Sequence, residues 1–262
     1  MDKNFSFKKR YGQNFLNDNN VLNNIANSID INKNDLIIEI GPGAGALTEK
    51  LIQKTNKLIC FEIDGELNKY LNKYEKQDAK IVYGDFLEQD VNIYVKDFEF
   101  DNLYIIANLP YYITTPIITK IIKDNLPVRK CIFMVQKEVA DRLCASKSTK
   151  DYNSLTIFLS YYFNIKKLFN VSRNCFYPKP NVDSAVILLE KLKEPPVFVK
   201  NEKVFFNLVR DAFVYKRKTL KNNLKNYDLN KINDILRKYN LDLTIRAEAL
   251  SIEVFADIAN NL

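Results

Sequence analysis

The sequence predicts an α/β fold for its first two-thirds and a small all-helical domain for the rest. In the first part, short apolar runs alternate with helix-like segments, which is typical of a parallel sheet with helices on both faces. The first of these runs ends in a glycine-rich turn, Gly41–Gly45. After Pro195-Pro196 the pattern is helical only. We therefore expect two domains, residues 1–193 and residues 194–262.

Seven runs are strand candidates, because each is short and rich in apolar residues that favour strands. They are Leu36–Ile40, Leu58–Glu62, Ile81–Tyr83, Leu103–Ala107, Cys131–Val135, Lys166–Val171 and Ser184–Leu189. Helices are expected between and after them. In the first domain they are Ala46–Lys54, Pro116–Lys123 and Glu138–Leu143, and in the second Phe205–Phe213, Lys218–Lys225, Leu229–Tyr239 and Ser251–Asn260.

The composition limits the function. Lys and Arg total 39 against 32 Asp and Glu, and a net charge of +7 favours a polyanionic partner, although an AT-rich genome would give the same bias. The chain has no His, which excludes a catalytic triad and most catalytic zinc sites, so we expect no metal. The cysteines form no CxxC pair, and Met1–Arg10 is basic with no apolar segment after it. We therefore expect a cytoplasmic protein without a signal or a membrane anchor.

Three motifs stand at the C-terminal ends of successive predicted strands, where open α/β sheets bind ligands. Gly41 and Gly43 let the backbone approach a ligand closely. Glu62 can accept hydrogen bonds from both hydroxyls of a ribose, and Asp85 can accept an adenine amino group. The pattern suits NAD as well as S-adenosyl-L-methionine. The structural alternatives are a simple strand–helix turn for the glycines and a cap or turn role for Asp85.

A loop with the sequence Asn-Leu-Pro-Tyr-Tyr follows the fourth strand, from residue 108 to residue 112. The side-chain oxygen of Asn108 and the backbone oxygen of Leu109 can accept both N–H groups of an exocyclic adenine amine, which directs its lone pair at a methyl donor. Pro110 stiffens the loop. Tyr111 and, from a later loop, Phe176 offer flat faces to an unstacked base. An ordinary turn with packed aromatic residues is the alternative.

Two basic clusters are candidates for contacts with phosphates. The predicted helix Lys218–Lys225 follows Lys216 and Arg217, and residues 217, 221 and 225 would share one of its faces. Charge runs of this length are as often simply solvated faces. The candidate residues are Lys9, Arg10, Arg217, Lys218 and Lys221.

Together these segments resemble the ribosomal RNA adenine dimethyltransferases of the KsgA/RsmA family. The matching stretches run almost end to end. They are Lys9–Leu16, Glu39–Thr48, Glu62–Asp64, Asn108–Pro116, Met134–Ala140, Phe176–Val186, Lys216–Leu224 and Arg246–Ser251. Two departures are minor, because neither touches the chemistry: Phe86 stands where many relatives carry a small residue, and Lys216 replaces a more usual Arg.

The resemblance implies a Rossmann-like, seven-stranded methyltransferase sheet whose last strand is antiparallel, followed by a helical RNA-binding domain. It implies a monomer that dimethylates the N6 atoms of two adjacent adenosines, in a hairpin near the 3′ end of small-subunit ribosomal RNA, during ribosome assembly. The residues that it places around S-adenosyl-L-methionine are Asn14, Leu16, Gly41, Glu62, Asp85 and Asn108.

Three other functions remain open. A methylase of the erythromycin-resistance type shares the fold and modifies one adenine of large-subunit RNA, but Pro42 and Arg246-Ala247-Glu248 look more like the dimethyltransferases. A mitochondrial transcription factor derived from this fold would bind nucleic acid without catalysis; the absence of an Arg- and Ser-rich leader speaks against it. An NAD-dependent dehydrogenase would have no use for the loop at residues 108–112.

Overall fold

The computed structural model describes residues 13–77, 79–110 and 113–262. Lys9, Arg10 and Tyr111 lie outside the described residues, so their roles stay predictions. The chain forms two compact units. The first comprises the chain up to Ala140 together with Lys166–Lys191, and the second comprises Asp141–Ile165 together with Leu192–Leu262. The second unit thus includes residues 141–165, which the sequence had placed in the first domain.

The first unit is built on a seven-stranded sheet. In chain order the strands are β1 (Phe15–Leu16), β2 (Leu36–Ile40), β3 (Lys57–Glu62), β4 (Ala79–Tyr83), β5 (Leu103–Asn108), β6 (Val128–Gln136), β7 (Phe163–Val171), β8 (Phe176–Tyr177) and β9 (Ser184–Lys191). The sheet has the order β4-β3-β2-β5-β6-β9-β7, while β1 and β8 form a separate pair. The strands from β4 to β6 pair in parallel and β9 runs antiparallel to β6. The predicted sheet and its antiparallel last strand are confirmed.

The central strands form where the sequence is almost entirely apolar. Leu36, Ile37 and Ile38 of β2 have no exposed surface, and Ile105 and Ile106 of β5 have none either. Strands of a parallel sheet are covered by helices on both faces, so they lack the alternation of apolar and polar residues that an exposed sheet shows.

The helices are mostly short. They are α1 (Asn19–Ala26), α2 (Thr48–Leu51), α3 (Asn68–Glu75), α4 (Val91–Val95), α5 (Thr114–Lys123), α6 (Lys137–Leu143), α7 (Ser154–Tyr162), α8 (Glu202–Ala212), α9 (Leu220–Asn223), α10 (Leu229–Lys238) and α11 (Ile252–Asn261). The predicted helix Ala46–Lys54 is shorter in the structure: α2 covers Thr48–Leu51, and residues 46–47 and 52–54 form turns on either side of it.

The second unit has its own core, around the buried side chains of Phe205, Leu208, Ile232 and Phe255. The helix α7 was not predicted from the sequence, and its aromatic residues pack on α8. The Tyr161 and Phe205 rings lie 5.6 Å apart between centroids, and those of Phe158 and Phe206 lie 5.1 Å apart. This packing is the reason that residues 141–165 belong to the second unit.

Among the described helices, none combines the length and the hydropathy that crossing a lipid bilayer requires.

Candidate active site

The strand order of the sheet reverses beside β2. The chain proceeds from β2 outward to β3 and β4 and then returns to β5 on the other side. Ligands bind at the carboxyl ends of the strands at such a switch point, because the connections leave in opposite directions and open a crevice. Ile40 pairs with Ala107, so the next residues, Gly41 and Asn108, leave the sheet side by side. A cavity of about 340 Å³ lies there, within the size range of small-molecule sites.

The glycine-rich loop brings bare backbone to this cavity. Gly41 has a φ of +70°, and a Cβ atom added to it would meet nothing within 4 Å, so its backbone borders open space. A Cβ atom on Gly43 would lie 2.8 Å from Cε1 of Phe15, and one on Gly45 would overlap the ring of Tyr74. The hydroxyl of Tyr74 donates to the backbone oxygen of Gly45 over 2.8 Å. The loop is therefore fixed on one side and open toward the cavity on the other.

Glu62, at the end of β3, faces this loop. Its Oε2 accepts from the backbone N–H of Gly43 at 2.9 Å and its Oε1 from that of Asp64 at 2.8 Å. Burial raises the pKa of Glu62, and these two N–H groups act in the opposite direction. A carboxylate oxygen can accept two hydrogen bonds, so each oxygen can also receive a ligand hydroxyl. The side chain stands where a ribose-binding carboxylate is predicted.

Glu39 also lines the cavity, which the sequence analysis had not predicted. The side chain is 1% exposed; its Oε2 accepts from Thr48 Oγ1 at 2.7 Å and from Cys60 Sγ at 3.6 Å. Burial raises the pKa of Glu39 to about 7, Thr48 and Cys60 oppose the shift, and the nearby charge of Glu62 adds to it. The available signal was a lone carboxylate within the apolar run of β2, because an acid is rarely buried there without a partner.

The strand β1 reaches the cavity from the N-terminal side. Leu16 pairs with Phe176 of β8. Gln13 Nε2 donates to Oδ2 of Asp64 at 2.8 Å, and Asp64 is almost fully buried just after β3. These contacts tie β1 to two separate parts of the cavity wall.

Asn108 ends β5 and points its amide at β1. Its Nδ2 donates to the backbone oxygen of Asn14 at 3.3 Å, which leaves Oδ1, an acceptor, as the other polar atom of the amide. The backbone N–H of Leu109 donates to Met134 of the neighbouring β6 at 3.1 Å, and the Leu109 side chain is buried. Phe176 is 6% exposed and lines the same cavity.

The structure thus brings most of the predicted site residues together. Those that line the cavity are Asn14, Leu16, Gly41, Gly43, Glu62, Asn108, Leu109, Pro110 and Phe176. Asp85 is not part of this lining; its Oδ1 accepts from the backbone N–H of Leu87 at 2.9 Å, as a turn residue does. Its contact with a cofactor stays a prediction. The sequence analysis also missed Gln13, Phe15 and Tyr74, which support the loop and β1.

The basic residues Arg217, Lys218 and Lys221 are exposed on the second unit. The predicted helix Lys218–Lys225 is too long, however, because α9 covers only residues 220–223. Its first backbone N–H groups donate to the oxygens of residues 245 and 243, at 2.8 and 3.0 Å, which ties the short helix to that segment. Residues 217 and 225 lie outside it, so the expected stripe on one helix face does not form.

The seven-stranded sheet, its antiparallel last strand and the cavity at its switch point define a Rossmann-like methyltransferase. The solved structures agree. A dimethyladenosine transferase from Plasmodium falciparum matches with a TM-score of 0.78 and 28% identity, over 93% of this chain and 95% of that one. The 23S rRNA methyltransferase ErmE matches with a TM-score of 0.73 and 22% identity, over 95% and 99%, and shows the shared fold alone.

The chain belongs to the ribosomal RNA adenine dimethylase family, whose model matches residues 4–262. Two relatives carry the name ribosomal RNA small subunit methyltransferase A. The one from Streptococcus thermophilus is 44% identical, over 98% of this chain and 92% of its own length. The one from Clostridium acetobutylicum is 42% identical, over 99% and 95%. The resemblance seen in the sequence is confirmed.

Proposed function

We propose that this chain uses S-adenosyl-L-methionine to dimethylate the N6 atoms of two adjacent adenosines near the 3′ end of small-subunit ribosomal RNA. The observation that supports this most strongly is the register of β2 and β5. It puts Asn108, which can hold an adenine amine, directly beside Gly41, whose open backbone can hold the cofactor. The relatives at 42–44% identity are named for the small subunit, which favours that RNA.

The charges of the cavity suit this cofactor. Its lining includes the carboxyl groups of Glu49 and Glu62, together with Glu39, whose pKa is raised to about 7, but, of the described basic residues, only Lys73. Such a site attracts a ligand that carries a sulfonium and an ammonium group, and it would repel the pyrophosphate of NAD. When bound, S-adenosyl-L-methionine supplies a methyl group activated by the positive sulfur. Glu62 holds the ribose, and the bare backbone of Gly41 leaves room beside it.

The work of the protein is then to position the amine. Asn108 Oδ1 and the backbone oxygen of Leu109 accept its two N–H groups, which concentrates the lone pair on the nitrogen. Asn14 keeps the amide of Asn108 in the required orientation. Phe176, which lines the cavity, offers a flat face to the extruded base, and Tyr111, which lies outside the described residues, is the second candidate for stacking on it. Orientation would lower the barrier without a strong base. The nitrogen would become cationic as the carbon–sulfur bond breaks and the sulfur keeps its electron pair, and the acidic proton of that nitrogen could then pass to water.

The second unit binds the RNA backbone through its exposed cations, Arg217, Lys218 and Lys221. Affinity for RNA then falls steeply as salt rises, since each phosphate contact releases a counterion. The cytoplasm as compartment and a monomeric state remain predictions that accompany this function.

The direct test supplies purified protein with isotope-labelled cofactor and with ribosomal subunits from cells that lack the activity. Mass spectrometry of the digested RNA is expected to find N6,N6-dimethyladenosine in the small subunit and none in the large one. Methylation of large-subunit RNA alone would point to the resistance type, and RNA binding without methylation to the transcription-factor type.

A further inference from the structure

The loop between α8 and α9 exposes apolar surface next to a cluster of cations. Tyr215 is 64% exposed and Val214 is 57% exposed. Three exposed basic residues, Lys216–Lys218, follow them directly, and the ammonium of Lys216 donates to the backbone oxygen of Lys150. A single exposed tyrosine is common on protein surfaces. A flat aromatic ring joined to three positive charges is instead the composition of a platform for unpaired nucleic acid, where bases stack and phosphates pair with cations.

The loop holds a defined shape, because one side chain fixes its backbone. Asn223 Oδ1 accepts from the N–H of Tyr215 at 3.1 Å, and its Nδ2 donates to the oxygens of Ala212 and Tyr215 at 2.7 and 3.2 Å. The N–H of Lys218 also donates to the oxygen of Tyr215, at 2.9 Å. Both backbone polar groups of Tyr215 are therefore satisfied within the protein.

The aromatic residue that packs into the core near this loop is Phe213, and not Tyr215. Phe213 turns inward, and its ring centroid lies 6.0 Å from that of Phe255 and 6.1 Å from that of Tyr152. The core of the second unit is thus closed by Phe213. The ring of Tyr215 contributes little buried area, so stability gives no reason for a large aromatic side chain there.

We infer that Tyr215 is a stacking platform for one unpaired base of the RNA, held by Asn223 beside Arg217 and Lys218, which pair with phosphates. A paired helix keeps its bases stacked inside and presents phosphates, so cations alone would suffice for it. The aromatic ring therefore selects a loop, a bulge or a single-stranded stretch. This inference rests on the proposed function for its partner, RNA, and it names the structural element that the second unit recognises.

The chain contains no tryptophan, so Tyr215→Trp introduces a single fluorescent reporter. Its emission is expected to be quenched when a short RNA hairpin with an unpaired loop binds, and to stay unchanged with a fully paired duplex of the same length. The matched control is Phe198→Trp, at a residue of the same unit that is 77% exposed. It is expected to show no quenching with either RNA.

Affinity is measured in parallel by fluorescence anisotropy with labelled RNA. Tyr215→Ala should weaken hairpin binding by about 5- to 150-fold, the loss of one stacked base, and leave duplex binding and the salt slope unchanged. Tyr215→Phe should retain the affinity, because it keeps the ring. Equal losses for hairpin and duplex, or no loss for either, would overturn the inference. If the wild-type protein does not methylate small subunits, but Tyr215→Ala still weakens binding of the hairpin and not of the duplex, the proposed function is refuted and the stacking role of Tyr215 is supported.

Discussion

Replacing Gly45 by alanine tests whether the cofactor loop is built as described. Gly45 has a φ of +86°, a conformation that costs other residues about 1–2 kcal/mol. The new Cβ atom would also overlap the ring of Tyr74, which is buried and hydrogen-bonded to this same residue. Forcing such a displacement in a packed core costs about 1–3 kcal/mol. Gly45→Ala should therefore lower the free energy of unfolding of the first unit by about 2–5 kcal/mol.

Alanine substitutions at two other glycines separate the cost of the backbone conformation from the cost of displacing Tyr74. Gly41→Ala has the same kind of positive φ, at +70°, but no atom within 4 Å of its Cβ, so only the backbone cost of about 1–2 kcal/mol applies. Its methyl group faces the cavity and should weaken cofactor binding. Gly65→Ala meets neither obstacle and should change stability by less than about 0.5 kcal/mol.

Calorimetry of the full chain gives the stability of the three variants, and titration calorimetry gives their affinity for S-adenosyl-L-methionine. The expected order of destabilisation is Gly45→Ala, then Gly41→Ala, then Gly65→Ala. A Gly45→Ala protein as stable as Gly65→Ala would refute the packing of Tyr74 against the loop.

Three further variants probe the carboxylates and β1. Glu62→Ala should weaken cofactor binding by about 1–3 kcal/mol, measured by titration calorimetry, because two hydrogen bonds to the ribose are lost; an affinity within twofold of wild type would exclude this role. Burial raises the pKa of Glu39 from 4.5 to about 7, so the folded protein keeps a proton that the unfolded chain releases. This contribution to the free energy of unfolding is complete below about pH 4, and about 3 kcal/mol of it is lost as the pH rises through 7. Glu39→Gln should abolish this pH dependence, which is measured by urea unfolding at a series of pH values. Gln13→Glu should weaken cofactor binding, because its carboxylate would repel that of Asp64, and adding Asp64→Asn should restore the affinity. If the losses of the two single variants add up in the double variant, the 2.8 Å contact between Gln13 and Asp64 does not matter for binding.

The sequence was sufficient for the sheet and for much of the site. Runs such as Leu36–Ile40 and Leu103–Ala107 are apolar apart from Glu39, and a motif at the end of such a run is placed by the topology of a parallel sheet. Gly41, Glu62 and Asn108 therefore follow from chain order alone, without any knowledge of side-chain contacts.

The remaining features depend on contacts between distant parts of the chain. The environment of Glu39 depends on its partners Thr48 and Cys60, and Gln13 contacts Asp64, which is 51 residues away in the sequence. The helix α7 has an almost uniformly apolar sequence with little periodicity, so its clearest signal was the capping box that Asn153 begins.

For the basic residues after α8, the sequence pattern predicted a feature that the structure does not form. A helical spacing of 217, 221 and 225 suggested one face, but α9 covers only residues 220–223, and the segment before it is held in a loop by hydrogen bonds between Asn223 and the backbone of Ala212 and Tyr215. Local charge patterns predict a face only when the element that carries them is long enough to form it.

The most direct test of the account compares Asn108→Ala with wild type on small ribosomal subunits that lack the modification. Titration calorimetry should find that the variant still binds S-adenosyl-L-methionine, because Gly41 and Glu62 hold it independently, while mass spectrometry should find no N6,N6-dimethyladenosine. Dimethylation by the variant at a rate near that of wild type would contradict the central claim that Asn108 positions the adenine amine.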